Sequence, residues 1–206
     1  MKRTAAWLMA FILLLSVSAA GAEGIRDWFN FGPTDTAAPV TVTATPAPDA
    51  FRFRDGIRWG MNTKQVSALE KEPMTARHMQ NWSIMLTDGR VVVSRFTADL
   101  VFMFRDDRLM MISYEFPQEK PESFQYLTGA LSSLYGEKAD AEPLKIKALM
   151  DAINPNRYRI ELITQACGWT NSDDTAVYLY YYSETDFAIM YVSPELGARI
   201  YQTNGL

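Results

Sequence analysis

The stretch ADLVFMFRDDRLMMISYEF, residues 98–116, decides the fold that we expect. Two apolar runs, 100–105 and 108–116, flank an Asp-Asp pair, which is typical of a tight turn between antiparallel strands. In the second run the even-numbered positions from 110 onward are all apolar, whereas the odd-numbered ones include a serine and a glutamate. That alternation predicts an antiparallel sheet that is covered on one side.

A helix is predicted upstream of this hairpin, over residues 63–71 of the stretch RWGMNTKQVSALEKEP, 58–73. An asparagine followed three residues later by a glutamine fits a capping box, and the apolar residues on either side of that pair fit a hydrophobic staple. A tryptophan precedes the helix, where the entering chain is expected to meet the sheet, and a proline ends the helix. The residues to which we assign structural roles here are Trp59, Met61, Asn62, Gln65 and Val66.

The rest of the chain repeats this order of elements. After the first helix come several strands, then two helices, then strands again, which predicts an α+β fold: an antiparallel sheet with helices packed on one face. The pattern is compatible with a tandem α-β-β-β repeat. The predicted strands are 82–86 and 91–96 as a hairpin turning at Asp88-Gly89, then 158–166, 176–183 and 187–193, and the predicted helices are 121–135 and 143–153.

Residues 1–22 are organised like a signal peptide. Two basic residues precede an apolar run over 5–17, and Ala-Gly-Ala at 20–22 fits the small-x-small pattern of a signal-peptidase site. Because the run is shorter than the roughly 20 residues of a membrane-spanning helix, we expect cleavage after Ala22. The alternative is an uncleaved N-terminal anchor. Either way, the chain is predicted to be secreted or extracytoplasmic, in a bacterial cell envelope.

Residues 23–50 are predicted to be a tail and a linker. The segment 23–34 is aromatic, and 35–50 is rich in Ala, Pro and Thr without any periodic apolar positions. Such a composition cannot bury enough surface to fold on its own. Residues 51–206 are then a single α+β domain, long enough to bury a core of its own.

Charge and composition argue against several classes of function. The formal charge is −4, and removal of residues 1–22, which hold two basic and no acidic residues, makes it −6. Nucleic-acid binding needs clustered basic side chains instead. With one cysteine, Cys167, and one histidine, His78, the chain offers neither a disulfide framework nor a His/Cys metal site. Since it also holds no Gly-rich phosphate loop and no nucleophile with an adjacent base, we expect no enzyme, no cofactor and no metal.

The strand AVYLYYYS, residues 176–183, carries the candidate binding residues. Tyr178, Tyr180 and Tyr182 fall on one of its faces, and Tyr191 on the next strand could lie alongside. Tyrosines are favoured in interfaces because they offer a large, stiff and amphipathic contact area. The alternative is that this face lies under helices, or is a half-buried outer surface, since tyrosine also forms strands well.

The Trp59-Gly60-Met61-Asn62 step, followed by Gln65-Val66 and Glu72-Pro73, resembles the opening of small secreted bacterial domains. Two groups share it: β-lactamase inhibitor protein-like domains and outer-membrane assembly lipoproteins of the BamE/SmpA type. The hairpin 98–116 is similar to their following strand pair. The resemblance covers about residues 56–116, recurs weakly over 121–193, and implies a fold that recognises proteins or peptides on its sheet.

The function expected from these observations is a non-catalytic secreted or cell-envelope binding module. Its partner would be a protein, a peptide or a cell-wall component bound on the sheet face. An extracytoplasmic hydrolase is one alternative, which a pocket lined by converging carboxylates or by His78 would favour. A structural module tethered by an uncleaved N-terminal anchor is the other.

Overall fold

The computed structural model describes residues 53–153 and 163–204 of the chain, with side chains to residue 200. All described residues belong to one compact unit of the chain. The predicted signal peptide and linker, and most of the predicted strand 158–166, lie outside the described residues.

The described residues form nine strands and four helices, with a short 3-10 turn at Arg54–Gly56. The strands are β1 (Met74–Met79), β2 (Trp82–Thr87), β3 (Val91–Val93), β4 (Phe96–Arg105), β5 (Arg108–Phe116), β6 (Ala139–Asp140), β7 (Ala166–Thr170), β8 (Ala176–Tyr181) and β9 (Phe187–Val192). The helices are α1 (Thr63–Leu69), α2 (Pro121–Tyr135), α3 (Pro143–Ile153) and α4 (Pro194–Asn204).

All described strands join one antiparallel sheet in the order β1-β2-β4-β5-β9-β8-β7-β6, with β3 paired to β4. The predicted α+β class with an antiparallel sheet is confirmed. The described strands form two halves, β1 to β5 and β6 to β9. The last strands of the two halves, β5 and β9, pair at the centre of the sheet, and the earlier strands of each half lie progressively further out. This order is compatible with the expected tandem repeat.

The β4–β5 hairpin forms the middle of the sheet, as the sequence predicts. Asp106 and Asp107 both have positive φ, 52° and 55°, which is the backbone of a type I′ turn. The carboxylate of Asp107 also accepts hydrogen bonds from the backbone N–H and the hydroxyl of Thr63, at 3.1 and 2.9 Å. The turn therefore fixes the start of α1.

The predicted cap of α1 is confirmed. Asn62 Oδ1 accepts from the N–H of Gln65, and Gln65 Oε1 accepts from the N–H of Asn62, each at 2.9 Å. Val66 is fully buried, and Trp59 and Met61 pack against the same core. The predicted helices α2 and α3 are also present, and α2 ends at Gly136, whose φ is +91°.

The helices lie on both faces of the sheet rather than on one. Residues of α1 and α2 pack with Phe102, Ile112 and Leu179 in one core cluster. On the opposite face, the hydroxyl of Tyr180 lies 3.5 Å from the sulfur of Met150 in α3. Side chains on both faces of β5 are consequently buried, including the polar ones for which the sequence predicts exposure.

The predicted hairpin of residues 82–86 and 91–96 is wrong. β2 pairs instead with β4 and with β1, a strand that the sequence analysis missed. The segment MTARHM gives no strand signal because β1 is an edge strand whose side chains are partly exposed on both faces. β7 and α4 were missed as well. In the described ranges, no helix has the length and apolar character needed to cross a membrane.

Candidate functional site

The expected tyrosine face is largely buried. Tyr178, Tyr180 and Tyr182 do project from one side of the β8 segment, but Tyr178 is 8% exposed and Tyr180 is 0% exposed, while Tyr182 is half-buried. Tyr191 does not lie alongside them. It pairs with Val177, lies on the opposite face, and contacts Phe53 with ring centroids 5.6 Å apart. A ligand could reach Tyr178, Tyr180 and Tyr191 only by displacing the side chains that cover them.

The same face holds a buried carboxyl group. Glu115 is 2% exposed, and its Oε1 accepts a hydrogen bond from Ser113 Oγ at 3.0 Å. Burial raises the pKa of Glu115 to about 7, against the lowering effect of that hydrogen bond. Burial, followed by the charge of Glu115, raises the pKa of the Tyr182 hydroxyl. The carboxyl group of Glu115 is therefore part of the core and offers no surface to a ligand.

An open cleft of about 740 Å³ lies where β5 begins and β9 ends, and none of the candidate tyrosines lines it. Four separate segments build it: the corner before α1, the start of β5, the loop between β7 and β8, and the start of α4. Its lining residues are Trp59, Gly60, Arg108, Leu109, Met110, Ser172, Asp173, Ser193, Pro194 and Glu195. Its volume is within the range of small-ligand pockets.

The first wall of the cleft is the Trp59-Gly60 corner. Gly60 donates its N–H to Leu109 O at 3.0 Å, and Leu109 donates its N–H to Met61 O at 2.8 Å, so the corner is fastened to the start of β5. Gly60 has φ of +78°, a conformation that favours glycine. The indole Nε1–H of Trp59 donates to Thr175 Oγ1 at 2.9 Å, which holds the ring at the edge of the cleft.

The opposite wall is the start of α4. Ser193 Oγ accepts from the N–H of Leu196 at 3.3 Å, as an N-cap does, and Pro194 occupies the first helical position. The carboxylate of Glu195 pairs with Arg108 at 3.0 Å and with Arg199 at 2.6 Å. The cap thus positions a charged rim, formed by Arg108 and Glu195, over the buried floor of Leu109 and Met110.

The third wall is the loop between β7 and β8. Asn171 and Thr175 close it through a backbone hydrogen bond of 2.9 Å, and Asp173 Oδ1 accepts from the N–H of Thr175 at 3.1 Å. Ser172 is exposed at its tip. Because the hydroxyl of Thr175 also accepts the hydrogen bond of the Trp59 indole N–H, this loop and the Trp59 corner hold each other in place.

The geometry of the cleft suits non-covalent binding. Both of its carboxylates already have partners: Glu195 in two ion pairs and Asp173 in its loop. His78, the residue that would have favoured a hydrolase, is absent from the lining and bonds to Ser83 Oγ on β2. Within residues 53–153 and 163–204, no group of three or more metal-ligating side chains comes together. Cys167 is buried and free, as expected for a small core residue.

Of the segments that build the cleft, the sequence predicts a structural role for the Trp59 segment only. Trp59 was assigned to the packing of the fold, and it does pack there while also bordering the cleft. The sequence predicts no role for Arg108 or Glu195. The sequence Ser193-Pro194-Glu195-Leu196 holds a signal that could have located the last wall, since a serine cap followed by proline is typical of a helix start.

Comparison with protein-family models, with curated proteins and with solved structures returned no match for this chain. The resemblance to β-lactamase inhibitor protein-like and BamE/SmpA-type domains therefore stays a prediction, and the cleft must be interpreted from its own residues.

Proposed function

We propose that this chain is a non-catalytic binding module that works outside the cytoplasm and recognises a protein or peptide partner through the cleft beside Trp59. The cleft replaces the tyrosine face as the recognition surface, because Tyr178 and Tyr180 are buried. The extracytoplasmic location rests on the signal-like N-terminal sequence alone.

One observation carries the proposal: the cleft combines an apolar floor with a charged rim. Leu109 and Met110 are buried beneath it, the Trp59 ring and Pro194 border it, and Arg108 and Glu195 stand at its edge. An apolar side chain of a partner would displace water from the half-buried surfaces of Trp59 and Pro194 around this floor, which is the favourable contribution of buried anchor residues in interfaces. Arg108 and Glu195 would orient the polar backbone around that anchor.

The apolar character of the cleft also favours a polypeptide over a cell-wall glycan as the partner. Apolar side chains such as leucine, phenylalanine and tryptophan match the half-buried surfaces of Trp59 and Pro194 that line the cleft. A sugar would bring many hydroxyl groups against the floor, and each one that lost its hydrogen bonds there would oppose binding.

The test introduces a large side chain at Ser172, the exposed tip of the loop between β7 and β8, so that this side chain occupies the cleft. A phage-displayed library of random peptides is selected on the full chain, and the selected peptides are measured against Ser172→Trp and the matched control Ser133→Trp. Ser133 lies on the exposed side of α2. We expect Ser172→Trp to weaken binding by about tenfold or more, equivalent to roughly 1.4 kcal/mol, and Ser133→Trp to leave it unchanged.

Equal affinity of the two variants for every selected peptide would contradict the assignment of the cleft. Sedimentation with isolated peptidoglycan serves as the second arm. Co-sedimentation that Ser172→Trp abolishes, without any peptide binding at the cleft, would contradict the choice of a polypeptide partner.

A further inference from the structure

The turn between β3 and β4 carries a stacked arginine side chain. The Cζ atom of Arg95 lies 4.0 Å from the ring centroid of Tyr126 in α2 and 5.2 Å from that of Phe96 at the start of β4. Both distances are in the range of cation–π contacts. The two rings also meet edge to face, with centroids 5.5 Å apart. These three side chains form a cluster, the arginine stack, which joins the turn to α2.

Local contacts hold the arginine stack in place. The hydroxyl groups of Ser94 and Tyr126 lie 3.1 Å apart, so a hydrogen bond ties this ring to the turn that carries Arg95. Phe96 is buried and belongs to the core cluster between the sheet and α2. A planar guanidinium that already rests on aromatic rings loses less conformational freedom on binding than a freely moving side chain does.

The arginine stack is open at the surface. Arg95 is exposed, and Tyr126 is 40% exposed. Arg54, Arg90 and Arg108 each form an ion pair with a carboxylate of the chain. In the part of the chain that the structure describes, the guanidinium of Arg95 has its two ring contacts and no ion pair. Because the rings cover the face of the guanidinium, the N–H groups in its plane can still donate to an acceptor from outside.

The carboxylates around the arginine stack have other contacts. Three of them lie on the neighbouring segments: Asp99, Glu119 and Glu122. The first pairs with Arg90 at 3.6 Å, and the second accepts a hydrogen bond from Ser123 Oγ at 2.9 Å. The third acts on Tyr181 of β8, since burial and then the charge of this carboxylate raise the pKa of the Tyr181 hydroxyl. Among the described residues, none of the three forms an ion pair with Arg95.

We propose that the arginine stack is a second interaction surface, which binds a carboxylate of a polypeptide partner while an apolar side chain beside that carboxylate covers the ring of Tyr126. This goes beyond the cleft, with which the stack shares no lining residue. The two oxygens of a carboxylate match two parallel N–H groups of a guanidinium. Arginine and tyrosine are also the residue types on which binding energy in interfaces is concentrated.

The charge of the chain favours a single carboxylate over a polyanion such as an anionic lipid surface or a phosphate polymer. Polyanions are bound by clustered basic groups. The chain has a formal net charge of −4, and the stack offers one cation with carboxylates on the segments around it. A row of negative charges would meet repulsion there, whereas one carboxylate reaches Arg95 alone. The exposed ring of Tyr126 gains from an apolar neighbour, which a polypeptide supplies.

The experiment uses two capped tripeptides, one with aspartate between two leucines and one with asparagine in its place. Binding to the full chain is followed by NMR through the backbone amide signals of Ser94–Phe96 and Tyr126. We expect both peptides to shift these signals and the aspartate peptide to bind about two- to fivefold more tightly. Arg95→Gln is expected to remove this preference. Lys64→Gln, which removes the same charge at an exposed position of α1, is expected to keep it.

Four results would overturn the inference. The first is the absence of shifts at these signals, the second is equal affinity of the two peptides, and the third is an aspartate preference that survives Arg95→Gln. The fourth is binding of short-chain polyphosphate at these signals without peptide binding, which would assign the stack to a polyanion. Circular dichroism of both variants confirms that they are folded. The preference is also expected to persist in Ser172→Trp, so failure here and failure at the cleft are distinguishable.

Discussion

The strand β8 and the corner at Trp59 both carry aromatic side chains, yet these side chains have different roles. Tyr180 of β8 is fully buried, with its hydroxyl 3.5 Å from the sulfur of Met150 in α3. Trp59 is half-buried, donates its indole N–H to Thr175, and borders an open cleft. The tyrosine-rich strand β8 is thus part of the core, whereas the single tryptophan beside the cleft is partly exposed at the surface. The position of an aromatic residue in the topology decides its role more than the number of aromatic residues does.

The largest expected effect tests whether Tyr180 belongs to the core. Tyr180→Ala removes a fully buried ring and leaves a cavity beneath α3, which should lower the free energy of unfolding by about 4 kcal/mol. Chemical denaturation of the variant measures this. Leu134→Ala, at a side chain that is 73% exposed, is the control and should change stability by less than about 0.5 kcal/mol. A similarly small change for Tyr180→Ala would mean that β8 presents a free face after all.

The next effect depends on pH and concerns Glu115, on the same buried face. Its pKa is raised from 4.5 to about 7, so the folded state holds the proton more tightly than the unfolded state does. Stability is therefore expected to fall as pH rises from about 4.5 to about 7, by roughly 3 kcal/mol in total, and to stay low above that window. Glu115→Gln should remove this contribution and make the protein relatively more stable at pH 8.

Denaturation curves at several pH values check the behaviour of Glu115. Glu137→Gln, an exposed carboxyl group replaced in the same way, should keep the pH dependence of the wild type. If Glu115→Gln loses stability at pH 8, or keeps the full slope between pH 4.5 and 7, the buried carboxyl group is not the one that titrates in that window.

The smallest expected effect concerns the Trp59 corner. Trp59→Phe removes the N–H that bonds to the buried hydroxyl of Thr175, at a cost of about 1 kcal/mol. Thr175→Val removes the acceptor, and in a double-mutant cycle the second substitution should add little to the first. Additive losses would indicate that the indole and Thr175 contribute to stability independently of each other.

The parts of the fold that local patterns control were predicted from the sequence. The capping box of Asn62 and Gln65 starts α1, and the Asp-Asp turn joins β4 to β5. Gly136 follows the end of α2. Each of these depends on residues a few positions apart, so the sequence contains the whole signal.

The missed features depend on contacts between distant segments. The predicted partner of β2 was the next strand along the chain, but β2 pairs with β4 and with β1, whose exposed side chains follow no apolar alternation. The cleft brings together residues near 60, 109, 173 and 194, and no local pattern reports that they meet. Glu115 looked like an exposed position because strand alternation alone does not reveal that α3 covers the second face.

The pairing of β5 with β9 affects when the sheet can form as the chain folds. Met111–Phe116 pair with Phe187–Val192, the last of the described strands, so the middle of the sheet is completed only after both halves of the described sheet have been synthesised. Until then the first half exposes β5, a largely apolar strand, as an open edge. Contacts between such distant segments slow folding, and an exposed apolar edge favours aggregation. A chain shortened before Phe187 would leave that edge permanently open.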